Sequence, residues 1–324
     1  MEKTILFITV FVGLLLNLPD VSGKRKDPPI DFWPVEESVL RLLNEIRETQ
    51  DDSLAIKKHH QIEKILEQTL LLPSAYKYKF DSLRTIGRLY APRKAFRIFN
   101  WNHSFRDGKH CHFALIVFPG KKNEPNTVIR LTDRSDSITR PDQQILGSDE
   151  WFGTLYYKII SKRKAKDKKQ YYTLLGLDMN NLKTKKKIIE VVTFDKSGNP
   201  TFGAPIIELN KWTKKRIVFE FSANLSMYLE YNKLRRRIEF DHLAPLMPYL
   251  VGEYEYYEAD LFRDGLKFKN GRWKHKKDIQ KPPKSKKIKK RSLPKPPKVK
   301  YSKKSKKSAA QEKIIEVQGN SIEE

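Results

Sequence analysis

Between Trp151 and Pro205 the chain is a series of β-branched and aromatic runs: Leu155 to Ile160, Tyr171-Tyr172-Thr173-Leu174-Leu175-Gly176, Ile188 to Phe194, and Phe202-Gly203. Asp178-Met179-Asn180-Asn181 and Ser197-Gly198-Asn199-Pro200 separate the later runs. Side chains branched at Cβ or carrying a ring fit a pleated sheet, and the separating residues accept tight-turn dihedrals. Parallel neighbours would need crossovers of a dozen or more residues, for which these gaps leave no room. The stretch therefore predicts antiparallel strands, and it should lie at the centre of a sheet.

The flanking sequence extends that reading. From 34 to 73 the spacing is helical: Pro34 with Glu36 and Glu37 opens one helix carrying Val39, Leu40, Leu43 and Ile46. Asp51-Asp52-Ser53 supplies a cap for a second helix carrying Leu54, Ile62, Ile65, Leu66 and Leu70, which Pro73 stops. A helical hairpin with an apolar face is expected, packed on the sheet that follows. From Phe96 the period becomes 2, with strands expected at Phe96 to Trp101, His112 to Phe118 and Thr127 to Leu131. Alternation around Ile217-Phe219-Phe221, Met227-Leu229-Tyr231 and Ile238-Phe240 predicts a three-strand meander with Arg216, Glu220 and Glu239 on the wet face. Further strands are expected at Leu250 to Tyr257 and Gly265 to Trp273, with Asn270-Gly271 as a hairpin turn. The fold class that results is mainly β, an antiparallel sandwich or barrel over 74–280, with an N-terminal helical hairpin.

Both ends differ from this domain. Residues 1–23 carry Lys3, an apolar run from Ile5 to Leu16 and small residues Ser22-Gly23, the pattern of a secretory signal peptide. Export to the periplasm, cell surface or exterior is expected, without lipoprotein processing, because no cysteine lies near the cleavage point. Residues 24–33 form an extended lead-in. Cys111 is the one cysteine, so no disulfide can form within the chain and stability must come from the core. Hydrophobic residues at 39% and aromatics at 11% are enough for that core. Of the formal charge of +26, more than half comes from 281–307, which has 14 Lys and Arg and no acid. Pro282, Pro283, Pro294, Pro296 and Pro297 are scattered through it, so 281–324 is read as a disordered Lys/Pro-rich tail.

Residues able to carry chemistry are few. His103, His110 and His112 crowd around Cys111 and are candidate metal ligands, although neighbours on a strand face opposite ways. Asp241-His242 is the candidate catalytic pair, an acid that orients an imidazole base, but no nucleophile motif accompanies it. Asp178, Glu190, Glu220 and Glu239 are turn or strand carboxylates with no readable separation. Phosphate loops, His-Glu-x-x-His and Cys-x-x-Cys are missing, so no cofactor is expected. In the tail, Lys284, Lys286, Lys287, Lys289, Lys290 and Arg291 form a polycation suited to anionic polymers or a membrane surface, with no means of reading nucleic-acid sequence.

Trp151-Phe152-Gly153, Tyr171 to Gly176, Lys186-Lys187-Ile188-Ile189-Glu190, Phe202-Gly203 and Asp241-His242-Leu243-Ala244-Pro245 resemble, in order, an uncharacterised family of exported proteins from Bacteroidetes-type bacteria. The resemblance covers roughly 75–280 and implies no activity. In that family's pattern Trp-Asp-Gly follows the Leu-Leu-Gly block, whereas here the residues are Leu177-Asp178-Met179. The expected function is a non-enzymatic envelope or surface binding protein whose basic tail contacts anionic polymers or membrane; the alternative is an envelope hydrolase using Asp241 and His242.

Overall fold

The computed structural model describes residues 30–122, 124–163 and 169–279. The expected leader, most of the lead-in and the cations from Lys284 to Arg291 lie outside the described residues. Helix α1 (Trp33–Glu48) has Pro34 in its first turn, and α2 (Asp52–Leu70) is capped by Asp51, whose carboxylate accepts from Ser53 N at 2.8 Å and Leu54 N at 3.2 Å. Pro73 opens a 3₁₀ turn and so ends α2. Val39, Leu42, Ile62, Leu66 and Leu70 are buried against Phe99, Trp101, Phe113 and Leu115 of the first sheet.

That sheet is antiparallel, with β1 (Gly87–Tyr90), β2 (Arg97–Ser104), β3 (His110–Phe118) and β4 (Thr127–Thr132) in sequence order. The second contains β5 (Leu155–Arg163), β6 (Gln170–Asp178), β7 (Thr184–Phe194) and β11 (Arg216–Ser222) in the order β11-β7-β6-β5, and short β8 (Pro200–Phe202) also pairs with β7. The third contains β9 (Ile207–Leu209), β10 (Trp212–Lys214), β12 (Leu229–Asn232), β13 (Arg237–Pro245), β14 (Tyr257–Lys269) and β15 (Arg272–Lys276) in the order β10-β9-β15-β14-β13-β12. Its β15 to β9 pairing is parallel.

Side-chain alternation stacks these layers. Ile98, Ala114 and Ile116 of the first sheet share a core with Leu174, Ile188 and Val192 of the second. Leu175, Ile189 and Val191 point the other way and share a core with Ile238, Phe240, Leu266 and Trp273 of the third. The result is a helical layer followed by three sheets. The predicted central segment is the middle sheet, buried on both faces, which is why Ile188 to Val192 reads as an almost unbroken apolar run.

Three expectations are corrected. The strands read as a meander do not lie side by side: β11 pairs with β7, while β12 and β13 pair in the next layer. Alternation survives because Phe221, Met227 and Leu229 meet in one core across two sheets. Arg216, expected on the wet face, is fully buried beside Glu190, and Glu239 is buried on Arg237. The expected strand at Leu250 to Tyr257 is mostly two 3₁₀ turns, since Pro248 removes a donor and Gly252 takes φ 97°; pairing begins at Tyr257. Asn270 and Gly271, at φ 53° and 79°, do form the hairpin turn joining β14 and β15.

Candidate anion-binding site

The β2/β3 register sorts the histidine cluster. His103 lies opposite Cys111, while Asn102 lies opposite His112 and Ser104 opposite His110, so the sheet divides the candidates between its faces. On the helical side, His103 Nε2 is 3.5 Å from Asp52 Oδ1, and its ring is 5.1 Å from that of His59. On the other side, His110 Nδ1 meets the Asn102 amide at 2.8 Å, and His112 stands between Asp133 Oδ2 at 3.1 Å and Asp178 Oδ1 at 3.5 Å. Burial alone would raise the Asp133 carboxyl, but hydrogen bonds from His112 and Ser135 hold it below the usual carboxylate range. Asp133 also accepts from Gly153 N at 3.2 Å, and a Cβ at 153 would lie 2.2 Å from its Oδ2. Glycine in Trp151-Phe152-Gly153 is therefore what lets Asp133 close this latch. Cys111 is half-buried, and burial pushes its thiol up to about 12. Among the described residues no three His, Cys, Asp or Glu side chains converge in a metal-binding arrangement.

His59 supplies a pH response that the sequence did not flag. Its Nδ1 accepts from Trp101 Nε1 at 3.2 Å and its ring stacks on Phe113; burial, and then His103, lower its pKa to about 4. The unfolded chain takes up this proton near pH 6.5 and the folded protein only near 4, so stability falls as pH drops through that window. The loss should reach about 3 kcal/mol. Urea unfolding of His59→Gln, which keeps an acceptor for Trp101, should show a correspondingly smaller acid loss between those pH values; an unchanged loss would assign it elsewhere.

The candidate catalytic pair is not assembled. Asp241 accepts from Tyr228 N at 2.7 Å and from Arg263 Nε at 3.0 Å, with Arg263 Nη2 in ionic contact at 3.0 Å, and that guanidinium lies 3.9 Å from the Tyr228 ring centre. His242 occupies a bulge, is exposed, and places Nδ1 2.6 Å from Asp260 Oδ2. The neighbouring side chains are committed to different partners.

A different place gathers charge. The end of β5, the turn between β12 and β13, and the end of β14 enclose a cleft of about 640 Å³. Lys162, Arg163, Arg235, Arg236 and Lys267 line it, with Leu234 and Phe268, and among the described residues no carboxylate is in the lining. Asn232 Oδ1 accepts from Arg235 N at 2.9 Å and Arg236 takes φ 53°, a tight turn that projects adjacent guanidinium groups. Lys162 Nζ donates to Tyr231 Oη at 3.0 Å and lies 5.6 Å from the Trp273 ring, which holds the ammonium at the cleft floor. Glu239, 4.0 Å from Arg235, is buried and held by Arg237 at 2.6 Å. A second cavity of about 610 Å³, near Arg134, Glu150 and Lys215, mixes both signs of charge.

Sequence reasoning missed this cleft because its cations come from three separated strand ends, each of which reads as an ordinary wet face. The available signal was that two short segments, Lys162 to Lys169 and Lys233 to Arg237, are both strongly basic. Comparison of the chain with known protein families, curated proteins and solved structures gives no match.

Proposed function

We propose that this is a non-enzymatic binding protein for anionic polymers, exported and acting at the cell envelope or surface, in which the folded cleft and the Lys/Pro-rich C-terminal segment both engage the polyanion. The observation that carries the reading is the cleft: cations from three chain segments facing one concavity with no acid among the described residues of its lining. Converging cations gain counterion-release free energy from a polyanion, and guanidinium groups match carboxylate or phosphate geometry. A concave site admits a chain, whereas a flat bilayer reaches only its rim. The signal-like leader and the resemblance to exported Bacteroidetes-type proteins support the location. No sequence-specific nucleic-acid recognition is proposed.

Polygalacturonate and anionic vesicles are suitable probes, titrated with salt. Arg235→Ala/Arg236→Ala/Lys267→Ala should weaken polygalacturonate binding about tenfold or more and flatten its salt dependence, and a chain ending at Gln280 should lose a further share. Affinity unchanged in both variants would overturn the reading.

A further inference from the structure

The chain from Leu243 to Phe262 contains no Lys or Arg, although the protein carries a formal charge of +26, and it contains Glu253, Glu255, Glu258 and Asp260. Its middle forms an ordered lobe between β13 and β14: Leu246 N donates to Tyr256 O at 3.0 Å, Leu250 N to Met247 O at 3.0 Å, and Glu253 N to Leu250 O at 3.1 Å. Yet its apolar side chains face solvent, with Tyr249 82%, Val251 72%, and Leu246 and Met247 each 52% exposed. Such a grouping marks a contact surface rather than a solvated turn. Glu253 and Glu258 are exposed beside it, while Glu255 is paired with Lys183 at 3.1 Å.

The cleft is the complement in both respects. It is concave, lined by cations, and carries Phe268 and Leu234, the latter 97% exposed. The two surfaces also occupy opposite ends of one hairpin: Arg237 pairs with Lys267 at the cleft end, and Pro245 pairs with Tyr257 at the lobe end. The nine residues of β13 separate them by about 30 Å. A lobe therefore cannot reach the cleft of its own domain.

We propose that the protein assembles head to tail, the acidic, apolar lobe of one copy seating in the basic cleft of the next. The inference shares the cleft with the preceding reading but does not require a polyanion. At about 0.1 M salt the screening length is about 10 Å, so facing local charges act at the contact while the net positive charges of the two bodies are largely screened. The interface is heterologous, so assembly runs on as a chain or closes as a ring.

Sedimentation velocity of the full chain should show concentration-dependent association at about 0.1 M salt that is lost near 1 M, where screening falls to about 3 Å. Arg235→Glu/Arg236→Glu and Glu253→Lys/Glu258→Lys should each associate at least tenfold more weakly alone, and their mixture should regain association because each supplies the surface the other lacks. Leu246→Ser/Tyr249→Ser/Val251→Ser, which leaves charge unchanged, should also weaken it. A monomeric parent chain, a mixture no better than its components, or association lost only in lobe variants would overturn the proposal. Polygalacturonate binding should survive in Glu253→Lys/Glu258→Lys, so failure of assembly and failure of polyanion binding are read separately.

Discussion

Replacing Glu190 by alanine should cost about 3 to 5 kcal/mol of stability, measured as the shift in the urea midpoint, because it strands a buried guanidinium. Glu190 and Arg216 are both fully buried, with Arg216 Nε donating to Glu190 Oε1 at 2.6 Å and Nη2 lying 2.5 Å from the same oxygen in an off-axis ionic contact. The other carboxylate oxygen accepts from Tyr156 Oη at 2.6 Å, and that hydroxyl accepts from Trp151 Nε1 at 2.8 Å. Burial, and then Glu190, push the Tyr156 phenol well above its usual range, so it remains a donor to the carboxylate. Arg216 Nη1 also donates to the carbonyls of Pro141 and Gln144, and so pins the segment between β4 and β5 onto the middle sheet. Glu190→Met/Arg216→Met should recover part of the loss, since the uncompensated charge is gone, but not the anchoring of that segment. A loss below about 1 kcal/mol for Glu190→Ala would show that water reaches the guanidinium.

Trp273→Ala should be comparably damaging, about 3 to 5 kcal/mol, through the cavity left between the second and third sheets. Trp273 is fully buried, its Nε1 donates to Thr173 Oγ1 at 2.8 Å across that boundary, and its backbone N donates to Ile206 O at 2.8 Å. Trp273→Phe refills part of the volume but leaves the Thr173 hydroxyl without its donor, so an intermediate loss is expected. Because the ring also underlies Lys162 at 5.6 Å, polygalacturonate affinity of the Phe variant should fall at constant fold. Urea unfolding and polymer titration of the same preparations check both parts; wild-type stability in the alanine variant would contradict the packing described.

Local signals were the legible ones. Asp51 before a helical period specifies its cap through its side chain, and Asn270-Gly271 between strand runs specifies a turn through its tolerance of positive φ; each does so in the fold. Layering was harder to read. The gap from Ala223 to Tyr228 is short enough for a hairpin, yet the chain crosses there from one sheet to the next, and alternation cannot distinguish strands that share a core side by side from strands that face each other. Burial of Glu190 was illegible for a similar reason: one acid in an apolar strand implies a buried partner but does not say where, and Arg216 looked like the wet side of its own strand. At the candidate site, Asp241 and His242 are adjacent in sequence and diverge in space, while Lys162, Arg235 and Lys267 are far apart in sequence and converge.

The middle sheet has a consequence for how the chain can be made. Its strands lie between residues 155 and 222, one of its apolar faces is covered by residues that precede it, and the other by β12 to β15, which follow. A chain emerging from its N-terminus can complete the first interface but leaves Ile189, Val191 and Phe221 without their full cover until β12 to β15 have followed, and β9 cannot gain its parallel neighbour until β15 arrives. A product halted before β12 therefore presents a wide apolar face, and the third sheet closes that core only when its last strand is in place.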